Sequence, residues 1–118
     1  MQNQQEDEVE KLLRDYQMAQ EQLRALAMQL DQFQAQKSEL DRAKQEIDKA
    51  SGKIYSNVAG IIIETDKAKA LTDIKDRSEL IELRISSVTK QYNDFKGKEK
   101  LLGDKLTQMY NSRKSVSQ

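Results

Sequence analysis

A chain of 118 residues that is 36% apolar and 34% charged cannot build a thick core, and it suits long helices joined along one narrow buried seam. The absence of cysteine and histidine excludes disulfides, thiolate chemistry, zinc centres and Ser-His or Cys-His catalysis. The 20 basic and 20 acidic side chains cancel, which argues against nucleic acid as the main partner.

The N-terminal stretch from Met1 to Glu10 is polar and acidic, unlike a secretory signal. No run approaches the roughly 18 apolar residues of a membrane span. A cytoplasmic protein without membrane contact is expected. Helix one is predicted over 5–51. Its apolar seam steps by three and four through Val9, Leu12, Tyr16, Ala19, Leu23, Leu26, Leu30, Phe33, Lys37, Leu40, Lys44 and Ile47. No proline interrupts it, and Gly52 stands where a C-terminal cap is expected.

Residues 53–65 break the helical period. Ile54, Tyr55, Val58, Ile61, Ile62 and Ile63 are β-branched or aromatic and favour strands, with a turn through Val58-Ala59-Gly60. Only Gly60 accepts a positive φ freely, so the turn type stays open. Thr65 or Asp66 is the expected cap of helix two, placed at 66–110. Its seam runs through Leu71, Ile74, Ser78, Ile81, Ile85, Val88, Tyr92, Phe95, Glu99, Leu102, Leu106 and Met109. A polar, flexible tail is expected over 111–118.

The two ladders are mirror images about Ala59-Gly60, the pattern of an antiparallel coiled coil. Leu23 should face Phe95, Leu26 Tyr92, Leu30 Val88, and Phe33 Ile85. Residues 1–52 carry a net charge of −4 and residues 53–118 a net +4, so folding one arm on the other brings Glu6, Asp7, Glu8 and Glu10 near Arg113 and Lys114. Such exposed pairs contribute about 0.2–1 kcal/mol each and select register more than they stabilise. Three layers are weak: Lys37 and Lys44 face Ile81 and Ile74, and Ala19 faces Glu99. The lysines either cover apolar surface with their stems or mark a seam that splays near the hairpin.

The hairpin carries more apolar surface than a link requires. Consecutive side chains in Ile61-Ile62-Ile63 point to opposite faces, so both faces need covering. Both strand edges are open, and a lone two-stranded hairpin is marginal in water. The residues therefore predict an oligomer held by strand pairing, with Ile54, Tyr55, Val58, Ile61, Ile62 and Ile63 at the subunit interface. The plainer reading packs the hairpin on Leu80 and Leu83 of the same chain.

The stretch Ile54-Tyr55-Ser56-Asn57-Val58-Ala59-Gly60-Ile61-Ile62-Ile63-Glu64-Thr65, with Leu71, Ile74, Leu83-Arg84 and Lys90-Gln91 behind it, resembles a prefoldin subunit. The likeness covers nearly the whole chain. One hairpin between the helices is similar to the beta-type subunit of archaeal prefoldin, since alpha-type subunits carry a second hairpin. The turn departs from the family pattern, with Ala59 where glycine is usual. The resemblance implies a mainly α, prefoldin-like fold and a hetero-hexamer of alpha-type and beta-type chains. Their hairpins would form β-barrels in a central body from which the coiled coils project. It further implies an ATP-independent chaperone, or holdase, that binds unfolded proteins and delivers them to a group II chaperonin, with no cofactor.

A thin seam cannot bury its terminal layers, so client contact is expected at Val9, Leu12, Leu13, Tyr16, Met18, Leu101, Leu102, Leu106, Met109 and Tyr110. Gly97 and Gly103 each cost a helix about 1 kcal/mol relative to alanine, which either makes this end compliant or is a tolerated surface choice. Lys96, Lys98, Lys100 and Lys105 form a basic stripe, but Glu99 and Asp104 interrupt it and no aromatic platform accompanies it, so it reads as a solvated face. With no phosphate-binding glycine loop, an enzyme is not expected. The competing reading is a structural coiled-coil tether without client binding.

Overall fold

The computed structural model describes the backbone of residues 2–116 and the side chains of residues 4–113. Helix α1 (Gln2–Lys49), strands β1 (Ile54–Val58) and β2 (Ile61–Thr65), and helix α2 (Lys67–Val116) follow in that order. The chain divides into two compact units, a hairpin unit of residues 30–87 and a terminal unit of residues 1–29 with 88–118.

In the terminal unit, Ala19, Leu23, Leu26 and Val88 are buried. Val9, Leu12, Tyr16, Tyr92, Phe95, Leu102, Leu106 and Met109 are half-buried beside them. These are the expected seam positions. The register is the expected one within a residue, since a Cβ built on Gly103 lies 3.4 Å from Cε2 of Tyr16, whose mirror position is Leu102.

In the hairpin unit, Ile81 is buried at 6% exposure, and Leu30, Phe33, Leu40, Ile47, Leu71, Ile74 and Ile85 are half-buried. Lys37 stays half-buried, and its ammonium lies 3.4 Å from Oε1 of Glu82. Its stem covers the seam while the charge reaches a carboxylate at the surface. The depth of Ile81, its expected neighbour, argues against a splayed seam at this layer.

Lys44 departs from expectation. It is exposed, and Ala43 is half-buried in its place. The seam of α1 thus steps Leu40, Ala43, Ile47, Ala50, with a three-residue step where the strict ladder has four. Turning Ala43 inward spares the Lys44 ammonium from desolvation.

Several element ends differ, and α1 begins at Gln2 rather than at residue 5. Helix α1 stops at Lys49 rather than Ser51, and Gly52 does not take the positive φ of a glycine cap. The Lys67 ammonium instead donates to the Asp48 carbonyl at 2.8 Å, a cation on the negative end of the helix. Of the two expected caps of α2 it is Asp66 that acts, accepting the Lys69 N–H at 2.8 Å, while Thr65 belongs to β2. Helix α2 continues to Val116 where a tail was expected from residue 111, because nothing between Asn111 and Val116 is a strong breaker. Residues 117 and 118 of that expected tail lie outside the described residues. Among the described residues no ion pair joins Glu6, Asp7, Glu8 or Glu10 to Arg113, and the Lys114 side chain lies outside them. Long exposed side chains lose more rotamer freedom than such a pair returns.

The hairpin is tighter than the sequence suggested. Val58 pairs with Ile61, so Ala59 and Gly60 alone form the turn. Both have positive φ, 51° and 84°, the signature of a type I′ turn whose twist matches the strands. The Asn57 Oδ1 accepts the Gly60 N–H at 3.0 Å and helps hold it. An alanine in the left-handed region costs roughly 1–2 kcal/mol, only part of which a glycine's unfolded-state entropy offsets. Ala59→Gly is therefore expected to stabilise the chain by about 0.5–1 kcal/mol. Thermal unfolding followed by circular dichroism checks this, and a lower midpoint would reject the strained turn.

Candidate functional site

The chain carries two candidate surfaces, one in each unit. In the hairpin, the register places Ile54, Ser56, Val58, Ile61, Ile63 and Thr65 on one face, and Tyr55, Asn57, Ile62 and Glu64 on the other. Tyr55, Val58, Ile61, Ile62 and Ile63 are all at least half exposed, and Ile62 reaches 70%. Ile54, at the base, is half-buried. Both faces thus present large apolar side chains to solvent. The pairing around a two-residue turn also leaves outward-facing backbone groups on both strands.

Leu80 and Leu83 do not cover this surface. They are 48% and 69% exposed themselves, which removes the plainer reading in which the hairpin packs on them. Lys53 and Glu64 approach to 3.9 Å at the base, an exposed pair of little energetic weight.

In the terminal unit, the two helices frame an apolar groove of about 510 Å³. Helix α1 contributes Asp15, Met18, Ala19 and Gln22, and α2 contributes Phe95, Lys98, Leu101, Leu102 and Lys105. Its origin is local. Ala19 is buried but small, and its expected partner Glu99, half-buried at the seam, ends in a carboxylate 3.7 Å from the Lys96 ammonium where an apolar group would fill the layer. Large neighbours on either side then leave a trough. Met18 and Leu101 stand at 61% and 64% exposure, and the Lys98 ammonium lies 4.9 Å from the centre of the Phe95 ring.

Of the ten residues expected at this end, Met18, Leu101 and Leu102 line the groove. Leu13 and Tyr110 are exposed outside it. Val9, Leu12, Leu106 and Met109 are half-buried seam residues. Tyr16 borders a second trough of about 470 Å³ with Lys96, Gly97, Lys100 and Gly103. Phe95 and Ala19 were read from the sequence only as seam residues. Their role as groove wall and floor follows from the size of Ala19, and a small residue opposite a charged one was the signal available. Met28, at 60% exposure, was missed because it stands off the ladder.

Among the described residues there is no cluster of three acidic, histidine or cysteine side chains able to hold a metal. No helix of the described residues is long and apolar enough to cross a membrane.

The sequence pattern of the prefoldin subunit family matches residues 10–113. The chain belongs to the prefoldin subunit family. It is 33% identical over 103 residues to the prefoldin subunit beta of Methanothrix thermoacetophila, covering 86% of each chain. Against the prefoldin subunit beta of Thermococcus onnurineus it is 32% identical, over 86% of this chain and 84% of that one. The crystal structure of the prefoldin beta subunit from Thermococcus strain KS-1 superposes with a TM-score of 0.67 at 26% identity, over 92% of this chain and 91% of that one. The resemblance read from the hairpin and the two ladders thus holds at the level of family and fold. Prefoldin is a chaperone family, and the two long helices joined by one antiparallel hairpin are its beta-subunit architecture.

Helix α2 carries weak helix formers beside the groove. Gly97 has open space where a Cβ would stand, and the Thr107 hydroxyl donates to the Gly103 carbonyl at 2.9 Å, competing with the helix ladder. At Gly103 a Cβ would make ordinary van der Waals contact with Tyr16. Gly97→Ala and Gly103→Ala are each expected to stabilise the chain by about 1 kcal/mol. Hydrogen exchange over residues 97–110 should slow in both. Unchanged exchange there would show that the glycines do not loosen this end.

Proposed function

We propose that this chain is a beta-type subunit of a hetero-oligomeric prefoldin chaperone that holds unfolded polypeptides without nucleotide. The observation that carries the reading is the pair of solvent-facing apolar surfaces, at the hairpin and at the terminal groove. A coiled-coil tether needs neither.

The hairpin surface is the proposed subunit interface, through Ile54, Tyr55, Val58, Ile61, Ile62 and Ile63. Open edges and two apolar faces are satisfied when strands of several copies and of an alpha-type partner pair into a closed sheet. The family's hexamer of alpha-type and beta-type chains fits that requirement. The terminal groove, with Leu13 and Tyr110 beside it and the frayable seam residues Val9, Leu12, Tyr16, Leu102, Leu106 and Met109, is the proposed client site. Methionine and leucine adapt to varied apolar side chains, and several weak copies act together through effective concentration. Delivery to a group II chaperonin in the cytoplasm completes the proposed role.

Two measurements separate the surfaces. Ile62→Asp with Ile63→Asp is expected to abolish assembly with an alpha-type partner in light scattering while helicity is retained, and persistence of the complex would reject the interface. Leu13→Ser, Met18→Ser and Leu101→Ser together are expected to lower suppression of client aggregation at least about threefold while the complex persists, each lost contact being a partial apolar burial. These residues lie outside the buried core, so the fold should survive. Undiminished suppression would place client binding elsewhere on the chain.

A further inference from the structure

The groove of the terminal unit carries a charge arrangement that apolar contact alone does not use. Lys98, Leu101, Leu102 and Lys105 fall at i, i+3, i+4 and i+7 of α2, one face of the helix. Two leucines are thus bracketed by two lysines, about 10 Å apart along the helix axis. Among the described residues neither lysine has a carboxylate within ion-pair distance, whereas the neighbouring Lys96 is engaged by Glu99. The Lys98 ammonium is also placed, over the Phe95 ring that forms part of the same wall. The one carboxylate lining the groove, Asp15, stands on the opposite wall, on α1.

From this we infer that the groove selects, among unfolded segments, those in which a short apolar stretch is flanked on both sides by acidic residues. The inference rests on the reading of this groove as a client site and names the class of segment it takes. Apolar side chains enter over Met18, Leu101 and Leu102. Their flanking carboxylates reach Lys98 and Lys105 on the α2 wall, and Asp15 turns them away from the α1 wall. A segment flanked by lysines meets two cations at the same places and is disfavoured, so charge supplies discrimination where the apolar floor is permissive. Such segments occur in unfolded chains of any fold, because an amphipathic element exposes its apolar and acidic residues together once it loses its partner.

The test uses the 118-residue chain and two fluorescein-labelled peptides, each with two apolar residues at its centre. One carries glutamates on both sides and its twin carries lysines. In anisotropy titrations at low salt, the glutamate peptide is expected to bind about fivefold tighter, the scale of two exposed charge pairs. That advantage should vanish near 1 M salt and in the Lys98→Gln/Lys105→Gln double variant, where the glutamate peptide loses affinity and the lysine peptide gains it. Equal affinity of the unaltered protein for both peptides overturns the charge selection and leaves the groove as a client site. Binding of neither peptide, or binding unchanged by Leu101→Ser, overturns the client reading as well. The comparison on the unaltered protein decides the matter without any variant.

Discussion

Everything in this molecule follows from the thinness of a two-helix seam. Each helix can bury one stripe against one neighbour, so only Ala19, Leu23, Leu26, Ile81 and Val88 are buried among the described residues, none of them completely, and no buried polar side chain accompanies them. A third helix packed on the pair would have covered the remaining apolar side chains, and among the described residues there is none. Large apolar residues off the stripe, such as Met18, Leu83 and Leu101, therefore stay in solvent.

The same constraint acts at the hairpin with the opposite chemistry. A strand pair has two faces, and this one carries isoleucine on both. Its tight turn through Ala59 and Gly60 fixes which side chains share a face, at the cost of one alanine held at φ 51°. A compact turn keeps the five-residue strands in full register. The apolar content of both faces is the quantity that assembly would bury. Lys67 on the Asp48 carbonyl and Asp66 on the Lys69 amide anchor the two helix ends at this base without a glycine cap.

The terminal groove is a packing defect of one seam layer. Ala19 is too small and Glu99 too polar to fill a seam layer, and the trough left between Phe95 and Leu102 is bordered by lysines that no neighbouring carboxylate engages among the described residues. In a thick core such a layer would be a costly void. In a two-helix seam it opens to the surface instead, as a groove lined by Met18, Phe95, Leu101 and Leu102. The helix beside it contains Gly97, Gly103 and the Thr107 back-bond, so the groove wall is also the part of α2 with the least intrinsic reason to stay straight.

The sequence by itself determined the architecture, because a three-four ladder, its mirror image and a β-branched segment between them admit one economical pairing. All of the expected α2 seam appears in phase, from Leu71 to Met109. The prefoldin family was legible for the same reason, since that arrangement with one apolar hairpin is the pattern of its beta subunits. Tertiary structure decided what periodicity cannot encode. It turned Ala43 inward in place of Lys44, since a ladder records spacing and not the desolvation of an ammonium. It chose a two-residue turn with a strained alanine, since the pairing of Val58 with Ile61 outweighs the local preference of Ala59. It gathered Ala19, Phe95, Lys98 and Lys105 into one groove, since the size of a side chain matters only against the neighbour that the fold brings to it.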